Sequence, residues 1–333
     1  MARGVWSLGD ATAVGITTVI PGSTGGWGGT ANTLRYFSPY EGNATGHWGQ
    51  SQEHDPATMD PDPLKVTTGG SVCNGSFRIP LSYSYDEGIM ALIAGAVDVA
   101  AGAGAPYTHT ITPARGPLYA NIVYYWEKYT GARLQRLMTN ALITKVSIVQ
   151  ELEKTPYIEV NWYAQKWTES TPGAAPTLVT LEYADWLHNV LTLGNETFVH
   201  KGFTLDIDWP ADEGDYGIGS TDDPAPTFVG RGGQRITTLS VNGALDDDIL
   251  GYLGSTAGTA LSASNTIVWN NGLSTTAERE ILITLTGLKV KDADVEMAKR
   301  GRLPVTLTML ACGAAPFLWV SQNALAVAEP PAV

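Results

Sequence analysis

Apolar and polar residues alternate with period two in three stretches of the chain. In Phe77-Arg78-Ile79-Pro80-Leu81-Ser82-Tyr83-Ser84-Tyr85 the odd positions are apolar or aromatic and the even ones polar or proline. From Val199 to Trp209, Phe203, Leu205, Ile207 and Trp209 oppose Gly202, Thr204, Asp206 and Asp208. From Leu303 to Met309, Leu303, Val305, Leu307 and Met309 oppose Pro304, Thr306 and Thr308. This pattern predicts strands with one buried and one wet face, the habit of antiparallel sheets. Less regular strands are expected at 107–112, 119–128, 141–149, 157–164, 236–242, 264–269 and 280–288. Two short helices are expected. One is capped by Asp86, carries Ile89, Leu92 and Ile93 on one face and ends at Gly95; the other follows Asp246 and ends at Gly254. The fold expected is mainly β.

The order of these elements repeats. A long polar loop (40–72) leads to strand 77–85, the Asp86 helix, a Gly/Ala-rich stretch and a strand at Thr108–Thr112. An acidic loop (210–234) leads likewise to strand 236–242, the Asp246 helix, a Gly/Ala/Ser-rich stretch and a strand at Ser264–Val268. Each half closes with paired strands across a charged connection, Glu151–Lys154 and Glu296–Arg300. Two copies are too few for a solenoid. The expected organisation is two tandem domains, 1–168 and 177–333, joined by the linker 169–176, which contains Thr171-Pro172-Gly173-Ala174-Ala175-Pro176.

Composition narrows the function classes. With 37 glycines, 19 prolines, 16% charged and 44% apolar residues, the chain is rich in turns yet able to fill a core. That excludes intrinsic disorder and a coiled coil. The net charge is −13 and basic residues do not cluster, so the Lys/Arg footprint of tight nucleic-acid binding is missing. A nucleic acid that slides past without being held is compatible with this. Cys73 and Cys312 make neither a disulfide framework nor a zinc motif and are expected as free thiols. Met1-Ala2-Arg3-Gly4 leads into no apolar run, so no signal peptide is expected. The stretch Gly88–Ala105, interrupted by Asp98, falls short of a membrane span.

Catalytic signatures are lacking. The chain has no Gly-x-Ser-x-Gly and no phosphate loop ending in Gly-Lys-Ser/Thr, and Gly22–Gly29 reads as an arm or turn. His47, His54 and Asp55 match no common metal spacing, and Asp222-Asp223 and Asp246–Asp248 read as loop acids and a helix start. No catalytic residue, metal or cofactor is expected. Tyr83, Tyr85, Trp162 and Trp209 fall at core positions of alternating strands; Trp27, Tyr36, Tyr40 and Trp48 fall in loops and leave a sugar-binding platform open.

The N-terminal Gly-rich arm, the long loop, Gly75-Ser76-Phe77-Arg78-Ile79-Pro80-Leu81, the Asp86 helix and Thr108–Pro113 follow one another in a distinctive order. Ala141–Ile148 then leads into Ile158-Glu159-Val160-Asn161-Trp162. In this order the chain resembles the tail tube proteins of long-tailed bacteriophages over about residues 5–166, and more faintly over 195–313. The resemblance implies two tandem β-sandwich domains, each with one short flanking α-helix, whose strands join an intersubunit β-barrel around a channel. It also implies rings of six domains, hence three chains per ring as a pseudo-hexamer, stacked through the long loops and terminal arms. Partners so implied are further copies of the chain, double-stranded DNA in transit, and tape-measure, terminator and baseplate proteins. The location implied is the virion tail, assembled in the host cytoplasm, with no membrane and no enzymatic activity.

Two sets of residues follow. Open antiparallel sheets leave edges that attract partners, and a closed ring removes them. The wet positions Glu159, Asn161, Thr204, Asp206, Asp208, Thr306 and Thr308 are the candidates for lining a channel. They are acidic or neutral with no basic residue among them, a surface that repels duplex DNA carrying a charge every ~1.7 Å. Both long loops exceed the length of an idle connection. Tyr40, Trp48, Asp55 and Asp60 in the first, and Asp212, Asp215 and Asp222 in the second, are the candidates for ring-to-ring contact. At this point a secreted two-domain β-sandwich that binds carbohydrate and a β-rich hydrolase with a dispersed site stand as alternatives.

Overall fold

The computed structural model of the chain describes residues 11–19, 35–39, 41–53, 65–96, 99–127, 132–194, 196–212, 230–244, 261, 265–273, 278–295 and 304–325. Its strands in the first half are β1 (Ala11–Val19), β2 (Arg35–Phe37), β3 (Glu41–Glu53), β4 (Lys65–Pro80), β5 (Val99–Ala101), β6 (Tyr107–Ile111), β7 (Tyr119–Glu127), β8 (Arg133–Glu151) and β9 (Tyr157–Ser170), with helix α1 (Asp86–Ala94) between β4 and β5. The second half supplies β10 (Asn189–Leu193), β11 (Glu196–Phe198), β12 (His200–Asp208), β13 (Ala211–Asp212), β14 (Gly230–Arg231), β15 (Ile236–Ala244) and β16 (Thr266–Asn270). It closes with β17 (Glu280–Leu285), β18 (Lys289–Val295), β19 (Pro304–Ala311) and β20 (Phe317–Asn323). The molecule is mainly β, with antiparallel sheets throughout.

Two large sheets enclose one core. The first contains an unbroken run of eight strands in the order β3-β4-β9-β8-β12-β15-β19-β18, with β7-β1-β2 branching from β8. The second has the order β11-β10-β16-β17-β20-β6-β5. Both draw strands from either side of residues 169–176: β8 pairs with β12 in one and β6 with β20 in the other. The two halves are interlocked rather than set end to end. Trp162, Phe203, Trp269, Phe317 and Trp319 are among the largest buried side chains, and Trp269 reaches across the core to meet Phe203 at a tilt of 48° and donate Nε1–H to Gln150 Oε1 (3.1 Å).

Several expectations change here. The alternation at 199–209 and 303–309 becomes β12 and β19, but that at 77–85 leaves its strand at Pro80. Leu81 and Tyr83 remain buried beyond it, bonded to Pro156 and Glu182 carbonyls. Within the segment 40–72, residues 41–53 and 65–72 are not loop: they belong to β3 and β4, which pair antiparallel from Glu41↔Arg78 to Glu53↔Lys65. β1, unforeseen in the Gly-rich N-terminal region, lies between β2 and β7. The helix α1 is not flanking. All nine of its residues are buried, because Ile89-Met90-Ala91-Leu92-Ile93-Ala94 is apolar all round. Asp86 does not cap it. Tyr85 holds the capping position in the left-handed region, while the buried Asp86 carboxylate accepts from the Ser82 N–H (2.6 Å). Gly95 ends the helix as expected, its N–H on Ala91 O. The Asp246 helix lies outside the described residues.

The first sheet forks at a bulge between Ile143 and Lys145 of β8. Residues 133–141 of β8 carry β7, and residues 145–151 carry β12. Trp209, immediately after β12, fills the fork. Its N–H donates to Thr144 O (2.8 Å) and its indole Nε1–H to Gly233 O (3.0 Å). The guanidiniums of Arg231 and Arg235 stack on its ring, each 4.1 Å from the centroid. These arginines reach α1 from the second half: Arg235 donates to Ala94 O (2.9 Å), and Arg231 to Leu92 O (3.5 Å) as well as to Ile143 O and Trp209 O (both 2.7 Å). Burial, with Arg235's like charge second, pulls the Arg231 guanidinium down to about 9, so it remains protonated at neutral pH. Helix C-terminal carbonyls are a favourable setting for such charges. Gly95 closes the same knot at φ +65°, where an added Cβ would lie 2.2 Å from Gly116 O and 2.8 Å from the Trp209 ring. Gly95→Ala is therefore expected to cost about 3 kcal/mol from backbone strain and overpacking, read as a lowered urea midpoint.

Candidate functional site

The eight-stranded run is the feature on which the channel-lining candidates converge. Its strands β9, β12, β15 and β19 alternate, so one face packs on the core and the other is wet. Phe203, Leu205 and Ile207 of β12, Ile158, Val160 and Trp162 of β9, and Val305, Leu307 and Met309 of β19 point inward and are buried. The intervening Glu159, Asn161, Thr204, Asp206, Asp208, Thr306 and Thr308 therefore lie together on the opposite face of one sheet, half-buried or exposed. Residues from both halves share that face because β8 joins β12. Rows of paired positions cross it. One passes through Glu41, Arg78, Glu159, Ser147, Asp206, Thr238, Leu310 and Lys289, one from each strand.

Those rows add to the expected charge. The seven candidates hold no base; read across strands, bases sit beside the acids. Arg78 pairs with Glu159 (2.9 Å) and Glu41 (3.5 Å), and its guanidinium is held above its usual range chiefly by the Glu159 hydrogen bond. Lys145 pairs with Asp206 (3.2 Å), which also accepts from the Ser147 hydroxyl (2.5 Å). Acids still outnumber bases at paired positions of this face: Glu41, Glu151, Glu159, Glu169, Asp206, Asp208, Asp292 and Asp294 against Arg78, Arg136, Lys145 and Lys289. The surface is mildly acidic and internally compensated. Half-exposed pairs of this kind contribute at most about 1 kcal/mol each to folding, so their main effect is on the field presented to whatever faces them.

The wall also repeats itself. The order β3-β4-β9-β8 in the first half matches β12-β15-β19-β18 in the second, with the same connectivity. The bulge between Ile143 and Lys145 recurs between Val290 and Asp292, opposite Trp162/Asn161 and Met309/Thr308 respectively. By register Glu159 corresponds to Thr306 and Asn161 to Thr308, while Arg78 corresponds to Asn242. On β3, Gly42, Ala44 and Gly46 stand where β12 has Phe203, Leu205 and Ile207. The single chain does not close this wall into a barrel: among the described residues it ends at β3 on one side and at β18 on the other.

The stacking candidates fare differently. Asp212 is exposed on β13, which with β14 forms the base of the 210–234 excursion. Trp48 falls in the β3 hairpin, opposite Ser71 and beyond the reach of β9, whose pairing with β4 stops at Cys73. Tyr40, Asp55, Asp60, Asp215 and Asp222 lie outside the described residues. Of the core aromatics, Tyr83, Trp162 and Trp209 are buried. No group of three or more metal-ligating side chains occurs among the described residues, and no described helix is long and apolar enough to cross a membrane. No protein-family model matches the sequence, and no curated protein matches it.

Proposed function

We propose that the chain is a structural subunit of a tube, assembling into stacked rings whose inner wall is the eight-stranded run. The observation that carries this reading is that run itself: one sheet passes through both halves, has a core face and a polar face, and among the described residues ends in two open edges. Exposed edges are aggregation hazards that natural proteins blunt or cover. Ring closure by identical copies covers both at once. The resemblance to phage tail tube proteins supplies the ring size: six four-stranded units, hence three chains. The polar face then lines the bore, and duplex DNA passes over a surface that neither traps its phosphates nor lacks hydration. Tape-measure, terminator and baseplate proteins are the further partners this reading entails, and the virion tail its location. No catalytic step enters it.

Negative-stain microscopy of the purified protein, with native mass measurement of the particles, tests the reading. Rings or tubes built from multiples of three chains are expected. Six chains per ring would refute the pseudo-hexamer, and a stable monomer at high concentration would refute the tube.

A further inference from the structure

The junction between β8 and β12 has a counterpart that the single chain leaves open. By strand order and bulge position β18 corresponds to β8, and β3 to β12; yet among the described residues β18 and β3 are the two free edges of the wall. We propose that β18 of one copy pairs antiparallel with β3 of the next in the register of the internal β8–β12 junction. This interface rests on the tube reading above and specifies its partner strand by strand. Internally, Lys145 faces Asp208, Val146 faces Ile207, Ser147 faces Asp206 and Ile148 faces Leu205. Transferred through the repeat, Asp292 faces His47, Ala293 faces Gly46, Asp294 faces Thr45 and Val295 faces Ala44 of the neighbour. No two like charges oppose each other in this register, as cross-strand pairing requires. The Lys–Asp opposition of the internal junction becomes Asp–His, so the two kinds of seam alternate around the ring with different chemistry.

The stagger of the repeat supports closure independently. Following one row from Glu41 of β3 leads through Arg78, Glu159 and Ser147 to Asp206 of β12. The β12 residue that corresponds to Glu41 is Gly202, because Glu41 pairs with Arg78 as Gly202 pairs with Asn242. Each four-strand unit thus displaces the row by four residues, so the shear equals the strand number. A closed barrel with that ratio has strands tilted about 36°, within the range of about 35–45° that closure demands. Three copies of the eight-stranded wall, spaced about 4.8 Å per strand at that tilt, enclose a backbone cylinder about 45 Å across. Inward side chains narrow it to a bore that still admits a DNA duplex.

Cysteine pairs read the register directly. Thr45→Cys with Asp294→Cys places the two thiols on directly opposed residues of adjacent copies, within the Cα separation of about 4.4–6.8 Å a disulfide tolerates. Thr45→Cys with Asp292→Cys places them diagonally, about 7–8 Å apart. Each variant is assembled in the full chain, oxidised and run without reductant, beside the single variants. The expected result is conversion of most of the monomer into a ladder ending at trimer for the opposed pair alone. Particles that form without cross-linking in the opposed pair, or that cross-link preferentially in the diagonal pair, overturn the register while leaving the tube intact. Failure of the unmodified protein to form particles overturns the tube and the seam together.

Discussion

Trp209→Ala is expected to destabilise the folded protein by about 3–5 kcal/mol, the range for deleting a large buried aromatic. The reason is local and specific. Trp209 plugs the point where one sheet divides, and two half-buried guanidiniums, those of Arg231 and Arg235, stack on its ring. Removing the ring leaves a cavity and takes from Arg231 and Arg235 the aromatic surface that stabilises each. Trp209→Phe keeps a ring beneath them and loses only the Nε1–H bond to Gly233 O, a change of about 1 kcal/mol. Chemical unfolding of the two variants beside the parent distinguishes these outcomes. A cost below about 1 kcal/mol for the alanine variant, too small for any buried aromatic, would show that the fork does not depend on this wedge.

The second large effect concerns the polar face. Glu159→Lys, Asp206→Lys and Asp208→Lys together reverse three of its acids and leave Arg78 and Lys145 beside new like charges. Under the proposed function this converts a mildly acidic bore into a basic one. Duplex DNA in such a bore contacts several lysines at a time and is retained by counterion release. Release of DNA through variant tubes should slow at least tenfold at about 50 mM salt and recover towards the parent rate at about 200 mM, since such contacts weaken steeply over that interval. The companion set Glu159→Gln, Asp206→Asn and Asp208→Asn separates lost repulsion from gained attraction and should slow release far less. Variant rings must first be shown by microscopy to assemble. Given that, unchanged release kinetics at both salt concentrations would remove this face from the channel.

Much of the fold was readable where one residue in two is apolar and large. β12 and β19 announce themselves through Phe203-x-Leu205-x-Ile207 and Val305-x-Leu307-x-Met309. β3 holds the same place in the repeat as β12 but carries Gly42, Ala44 and Gly46 at its core-facing register positions, so periodicity is erased and the segment reads as a loop. An edge strand has fewer neighbours to fill and tolerates small residues, which is why the signal fails there rather than in the centre. The candidates for the polar face were found by the same alternation, and they do share one surface. What alternation could not show is the bases beside them, because Arg78 and Lys145 come to Glu159 and Asp206 from neighbouring strands, and cross-strand pairing has no signature within a single strand. Lys145 is doubly hidden, since the adjoining bulge resets the phase of β8 between Ile143 and Lys145. The clasp of Arg231 and Arg235 on α1 joins residues some 140 positions apart and left no local trace.

The pairing of β6 with β20 sets an order of events during synthesis. Ile111 must wait for Trp319, about two hundred residues later, before its strand acquires that partner. Until then the early-made portion displays an unsatisfied border on the ribosome, and β8 likewise waits for β12. Such a border invites mispairing with other chains, so a polypeptide halted before β12 and β20 lacks the strands that cover β8 and β6 in the finished fold.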